Sequence, residues 1–371
     1  MGDKTAIEWT DASLNPIRAR ERTSGKMGFY CLRLSDACKR CYAAGINRRL
    51  GTGLDYVASA LSSVDIYLDE KTLLQALRWK RRRFIFMCSM TDLFGSFVPD
   101  WMVDKIIAVA AVANWHTYQI LTKRADRMNA YFTNPDLRRR LANVLREMLA
   151  SPGMAAELAP HRDRVVDLIH CFESVGDGGA LPDVLDPLPL PNVWLGVTAE
   201  HQDAADDRIH WLIKTPAAIR FISWEPGLGQ LDLQHVAWPG GPTQGVDVLR
   251  RGFWDEQLGF VSLDFVTAAI DWIIAGGESG PIATPLHVAW VRALRDQAVL
   301  AGVAFFFKQW GTWGMAPEEM NFQEASALAG KRQSIKLASG HTMIRMGKKV
   351  SGRLLDGREH NDMPRNCSMA A

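Results

Sequence analysis

The chain has 371 residues, 47% of them hydrophobic and 23% charged, the balance of a soluble globular protein, which excludes long disorder. That length exceeds the size at which one core usually stops growing, so one large α/β barrel or two smaller domains are the options. Its 43 Lys and Arg against 41 Asp and Glu leave a net charge of +2, which gives no bulk electrostatic footprint for nucleic acid, although a local basic groove stays open.

No apolar run reaches transmembrane length, and MGDKTAIEWTDAS carries no signal-peptide core, so a cytoplasmic protein with no membrane partner is expected. Six cysteines are too sparse for a disulfide framework in a chain this long. Three of them, Cys31, Cys38 and Cys41, fall in one stretch, GFYCLRLSDACKRCY at 28–42. In a reducing cytosol such a group reads as metal binding or redox chemistry.

Residues 1–27 read as polar and turn-rich, with Asn15-Pro16 and Ser24-Gly25 arguing against a helix. GFY at 28–30 reads as a short strand running into the cysteine loop, and AAGINRRLG at 43–51 as a helix stopped by Gly51. Six apolar runs then end abruptly in polar residues: RFIFMCSMTDLF (83–94), TYQILTKR (117–124), VWLGVTAE (193–200), IRFISWEP (219–226), DWIIAGGESG (271–280) and VAFFFKQWG (303–311). Helical patterns at 100–113, 203–214 and 287–301 precede the second, fourth and sixth.

Apolar strands alternating with amphipathic helices predict a mainly parallel sheet covered on both faces. Counting the strand before the cysteine loop, about seven βα units suggest an α/β fold, a partial or complete parallel (βα) barrel. A doubly wound open sheet competes, but no G-x-G-x-x-G follows the first strand. The whole chain, 1–371, is expected to be a single barrel domain. Residues 134–190 and 230–265 read as peripheral insertions, the first of them helical, and 314–371 as a C-terminal extension that packs across one mouth.

In a parallel barrel the reactive groups come from the carboxyl ends of the strands. Those ends supply Ser89, Thr91 and Asp92; Thr122, Lys123 and Arg124; Thr198 and Glu200; Trp224 and Glu225; Gly276, Gly277, Glu278 and Ser279; and Lys308, Gln309 and Trp310. Any one of these is as readily a solvated strand end or a helix cap. Gly276-Gly277 admits close backbone approach to a ribose, carboxylate or phosphate, or is simply a tight turn. Lys123 and Arg124 suit an anionic substrate. Trp224, Trp310 and Trp313 suit stacking on a base, with core packing as the alternative.

The spacing C-x6-C-x2-C suits three corners of an iron–sulfur cluster or three of the four positions around zinc. The nearest histidines, His116 and His201, belong to other elements, so no local fourth zinc ligand is visible. Cys88 reads as core packing, and Cys171 and Cys367 as incidental.

IEWTDASLNP, the cysteine loop ending in CYA, SMTDLFGSFVPD, LTKRADRM, NVWLGVTAE, RFISWEPGLG, IIAGGESG, FFFKQWG and GKKVSGRLLDGRE together carry a resemblance. They resemble a phage- and prophage-associated family of three-cysteine proteins of unknown function that is grouped with radical S-adenosylmethionine (SAM) enzymes and is distantly similar to spore photoproduct lyase. The motifs run from about residue 7 to about residue 364.

The resemblance implies a barrel of the radical SAM type with a [4Fe-4S] cluster on Cys31, Cys38 and Cys41. It implies reductive cleavage of SAM to a 5′-deoxyadenosyl radical. It further implies a flavodoxin- or ferredoxin-type reductant, a bacterial host cytoplasm, and a DNA base or nucleotide as substrate, for phage DNA modification or repair. SAM contacts would come from Ser89, Asp92, Thr122, Thr198, Glu200, Glu225, Gly276, Gly277 and Glu278. Catalytic candidates are Lys123, Glu225 and Lys308.

The loop departs from the pattern in three places. Its first spacing is longer than the usual C-x3-C-x2-C, Ser35-Asp36-Ala37-Cys38 stands where the family often has SPGC, and RARERTSGKMGFY precedes Cys31. The competing readings are a non-catalytic zinc or nucleic-acid-binding protein and a SAM-using enzyme without radical chemistry.

Overall fold

The computed structural model describes residues 5–174, 186–317, 319–330 and 332–365. Its strands in chain order are β1 (Ala12–Leu14), β2 (Ile17–Glu21), β3 (Met27–Gly28), β4 (Val64–Leu68), β5 (Phe84–Met87), β6 (Thr117–Thr122), β7 (Val193–Thr198), β8 (Ile219–Trp224), β9 (Gly252–Asp255), β10 (Gly259–Ser262), β11 (Trp272–Gly276), β12 (Ala304–Gln309), β13 (Trp313–Met315), β14 (Ser334–Lys336) and β15 (Thr342–Arg345).

One sheet runs β1-β5-β6-β7-β8-β11-β12. The pairings of β1 with β5, β5 with β6, β8 with β11 and β11 with β12 are parallel. Strand order across this sheet follows strand order in the sequence. A doubly wound sheet reverses its order at a switch point, and a barrel winding does not. The fold is therefore α/β, of the partial parallel (βα) barrel class, with β1 and β12 as the sheet's edges.

Each of the apolar runs expected to be a strand is one. β7 and β11 are buried at every position, as befits strands covered on both faces. The helices Tyr42–Leu50, Asp100–Val112, Gln202–Lys214 and Val288–Ala301 lie within one residue of their expected bounds. Gly302 ends the last of these in the left-handed conformation, φ 69°, a stop that glycine adopts without steric cost.

The start of the sheet differs from expectation. Its first strand is β1, inside the stretch read as turn-rich, and not GFY. Three residues with a buried–half-buried–buried pattern are too short to show a period, and the Asn15-Pro16 step disfavours helix while permitting extended chain. Met27–Gly28, just before the cysteines, pairs antiparallel with β2 instead.

By compactness the chain divides into two units, with the boundary inside β7. The first unit comprises residues 1–34, 41–196 and 215–219. It holds β1, β5 and β6, a three-stranded antiparallel sheet ordered β3-β2-β4, and the helices of the 134–190 segment. There the helix Leu137–Ala150 buries Leu137, Leu141, Leu145 and Met148, one stripe at helical spacing.

The second unit comprises residues 35–40, 197–214 and 220–371. It holds β8, β11 and β12, the hairpin β9–β10 within the 230–265 segment, and the antiparallel sheet β13-β15-β14 of the C-terminal extension. The helix Phe322–Ala329 of that extension begins with a capping box between Asn321 and Glu324. Residues after 359 run along the edge of β12, where Phe307 N–H donates to His360 O at 2.9 Å. That contact covers an edge that would otherwise expose unpaired backbone groups. Among the described residues no helix is long and apolar enough to cross a membrane.

Candidate functional site

In the first unit the residues around Cys31 and Cys41 are tied to the carboxyl ends of β5 and β6. Thr91 donates its hydroxyl to Tyr30 O, and Arg124 donates to Leu32 O at 2.7 Å. Tyr56 OH donates to Met90 O at 2.9 Å, and Tyr42 OH to Ser89 O at 2.8 Å. Ser89 Oγ also exchanges hydrogen bonds with the buried Asn15 side chain.

Asp92 organises this end of the unit. It accepts from Thr122 Oγ1 at 2.6 Å, Arg124 Nη1 at 2.8 Å, Phe94 N at 3.0 Å and Lys123 N at 3.1 Å. A buried carboxylate with this many donors is held in one position. Asp92, Thr122 and Arg124, expected to face ligands, thus join two strand ends and carry the cysteine segment. Lys123 is half-buried beside them.

Cys31 and Cys41 pack against one apolar group, Phe29, Ala43, Ala44, Tyr56 and Met90. Burial, and after it the proximity of Cys31 and Cys41, pushes the Tyr56 phenol well up. Burial and then Cys31 raise Tyr30 as well. Both tyrosines stay neutral, and their hydroxyls act as fixed donors.

In the second unit the middle of the loop, residues 35–40, is gripped by two acidic strand-end residues. Ser35 donates its hydroxyl to Glu200, whose other oxygen receives Arg208 Nη1 at 2.8 Å. Glu200 is 0% exposed and Arg208 is buried beside it, also donating to Thr198 O at 2.7 Å. Arg40 Nη1 reaches Glu278 at 2.7 Å, and Glu278 accepts from Thr284 N at 2.8 Å and Thr284 Oγ1 at 3.1 Å. Cys38 is half-buried in the 3-10 turn Asp36–Arg40, its sulfur 3.8 Å from Ser35 Oγ.

At the ends of β8, β11 and β12 in the same unit, Lys308 Nζ donates to both Glu225 oxygens at 2.7 and 2.9 Å, and Gln309 Nε2 adds a third bond at 3.2 Å. A Cβ on Gly276 would stand 3.3 Å from the Glu225 carboxyl carbon. This ion pair and its bare glycine form a half-buried polar group of both signs.

Several expected site residues serve the fold. A Cβ on Gly277 would collide with the Trp310 carbonyl oxygen, so this glycine admits the protein's own backbone. Trp224, Trp310 and Trp313 are buried, with indole N–H groups on Gly229 O, Leu354 O and Ala283 O. None of the three offers a ring for stacking. Cys88 is buried, and burial pushes its thiol far up, away from ligand chemistry. His116 is buried against Ala76 O at 3.0 Å, and His201 Nδ1 accepts from Ala204 N at 3.3 Å. Cys367 lies outside the described residues.

Sequence reading missed Ser35, Arg40, Tyr30, Tyr56 and Arg208. Ser35 and Arg40 lay in the loop, but their partners are about 165 and 240 residues away, a pairing no local pattern reveals.

The donor set fits a three-cysteine cluster in kind. Cys31, Cys38 and Cys41 are half-buried thiols, none in a disulfide. Two share one apolar wall, and the third lies on the turn that leads directly into Cys41. Among the described residues no three His, Cys, Asp or Glu side chains are already gathered to hold a metal ion. No curated protein and no solved structure matches the chain. The family model described as "Protein of unknown function (DUF5131)" matches residues 4–364, nearly the full length, and the chain belongs to that family.

Proposed function

We propose that this protein is an iron–sulfur enzyme of the radical SAM class, acting on a DNA base or nucleotide in the cytoplasm. The observation that carries the reading is the cysteine loop. It offers three thiols, none in a disulfide, and it is anchored in each unit by residues at the carboxyl ends of parallel strands. That end is where barrels of this class place their chemistry.

In this reading Cys31, Cys38 and Cys41 hold a [4Fe-4S] cluster and leave one iron open. When bound, such a cluster supplies one electron for the reductive cleavage of SAM, delivered from a flavodoxin- or ferredoxin-type partner. The chain's own residues do the positioning. Thr91 and Arg124 fix the backbone on both sides of Cys31, and Glu200 and Glu278 fix the turn that carries Cys38. Glu225, Lys308 and Gly276 are the best-placed groups for the amino and carboxylate parts of SAM, since they offer both signs of charge beside a bare backbone. Lys123 is the remaining candidate for a substrate contact.

Anaerobic reconstitution with iron and sulfide tests the reading. The expected product is brown protein with about four irons per chain that forms 5′-deoxyadenosine from SAM under a strong reductant. Ala substitution of Cys31, Cys38 or Cys41 removes the colour, while Cys88→Ala keeps it. A colourless protein that holds one zinc and leaves SAM intact overturns it.

A further inference from the structure

We infer that the antiparallel sheet β3-β2-β4 is a binding platform for single-stranded nucleic acid, set immediately before the cysteine loop. The segment is RARERTSGKMGFY, residues 18–30. It folds as the hairpin β2–β3, widened by β4 in the register Arg18↔Tyr67 and Arg20↔Asp65. Ile17 and Ala19 point inward and are buried, so Arg18 and Arg20 lie together on the outer face.

The two guanidiniums on this face are held in a distinct way. Arg18 lies over the Phe29 ring at 4.4 Å, and Arg20 over the Tyr67 ring at 5.8 Å. Among the described residues neither has a carboxylate partner, and the Nε of Arg18 is buried with no hydrogen-bond acceptor. On the same sheet, by contrast, Arg22 is paired with Asp65 at 2.9 Å. Arg20 beside the half-buried Tyr67 ring, and Arg18 over the buried Phe29 ring, present guanidinium N–H groups to phosphate; Tyr67 is the ring open to a stacking base, and Asp65, across from Arg20, is taken up by Arg22. An antiparallel sheet carrying aromatic and basic side chains outward suits a single strand better than a duplex groove.

Position supports the choice of occupant. Phe29, whose ring carries Arg18, belongs to the apolar group against which Cys31 and Cys41 pack. The face is therefore linked through one ring to the group on which two of the thiols pack. The inference supplies the substrate class of the proposed enzyme. It rests on that reading for what happens to the strand, not for the binding itself.

The test uses full-length protein without a cluster, titrated into a fluorescent oligothymidylate of about 16 nucleotides and read by anisotropy. The expected result is salt-sensitive binding. Arg18→Ala with Arg20→Ala weakens it and flattens the slope of log affinity against log salt by about 1.4, from about 0.7 per cation. Tyr67→Ala weakens it about tenfold or more. Arg20→Glu, at an exposed position, gives the same direction without risk to the buried side of the sheet. Arg146→Ala, which removes an exposed partner of Glu173, leaves binding unchanged. Binding that all these variants retain, binding only to anionic vesicles, or no binding overturns the inference. Oligonucleotide binding in a protein that fails to cleave SAM separates the platform from the radical reading, and SAM cleavage without binding separates them the other way.

Discussion

The two units hold the cysteine segment by different means. In the first, the buried carboxylate Asp92 spends its bonds on strand ends and reaches the segment only through Arg124, which donates to Leu32 O. In the second, the carboxylates touch the loop themselves, Glu200 through Ser35 and Glu278 through Arg40. The difference teaches where sensitivity should lie. A backbone carbonyl held by an arginine survives small side-chain changes in the loop. A direct carboxylate contact fixes the loop's side chains, and each acid is backed by a further partner, Arg208 at Glu200 and Thr284 at Glu278.

The sharpest break of this contrast is Glu200→Ala. Arg208 would then be buried with only Thr198 O and, at 3.8 Å, the exposed Asp207 as partners, and breaking such a buried pair costs about 3 kcal/mol. Urea unfolding at neutral pH should show it, together with faster labelling of the loop cysteines by a thiol reagent. An equal rise in labelling in Asp92→Ala would erase the distinction between direct and indirect grip.

A smaller effect is expected from Arg40→Ala. Glu278 keeps both Thr284 bonds, and the Arg40 side chain is 35% exposed. The lost charged hydrogen bond, discounted for solvent screening, is worth about 1 kcal/mol. Cysteine labelling should rise in this variant more than stability falls.

The smallest effect concerns pH and the turn of the β2–β3 hairpin. Hydrogen bonds from the Ser24 side chain, then from the Thr23 and Ser24 backbone N–H groups, lower the Glu21 carboxyl to about 2. A depressed folded value means that the stabilisation is present above the ordinary glutamate value of about 4.5 and fades as pH falls toward about 2. The protection factors of the Thr23 and Ser24 amides should fall across that window, and in Glu21→Gln that fall should be absent.

Much of the parallel sheet was legible before the structure. FIFM, WIIAG and AFFF are apolar runs that end sharply, and burial on both faces leaves no other reading of such runs. The helix at 288–301 was bounded by Pro285 and Gly302, whose backbone limits act locally. β1 was not legible, because three residues carry no period. The hairpin β2–β3 was hidden for a related reason. Its arginines gain their place from cross-strand rings, and those rings are set by register with Tyr67, far along the chain.

The candidate site divides in the same way. Cys31, Cys38 and Cys41 stand out by type and spacing alone. The polar strand ends were found as a set, since strand polarity in a parallel sheet sends them to one end. Their tasks were not readable from sequence. Gly277 admits backbone rather than ligand, Trp224 fills the core rather than stacking on a base, and Asp92 and Glu200 hold structure rather than facing solvent. Local sequence determined which residues could do chemistry. Tertiary structure decided which carboxylates are already satisfied, because a buried charge takes whatever cation the fold brings within reach, and that cation is usually distant in sequence.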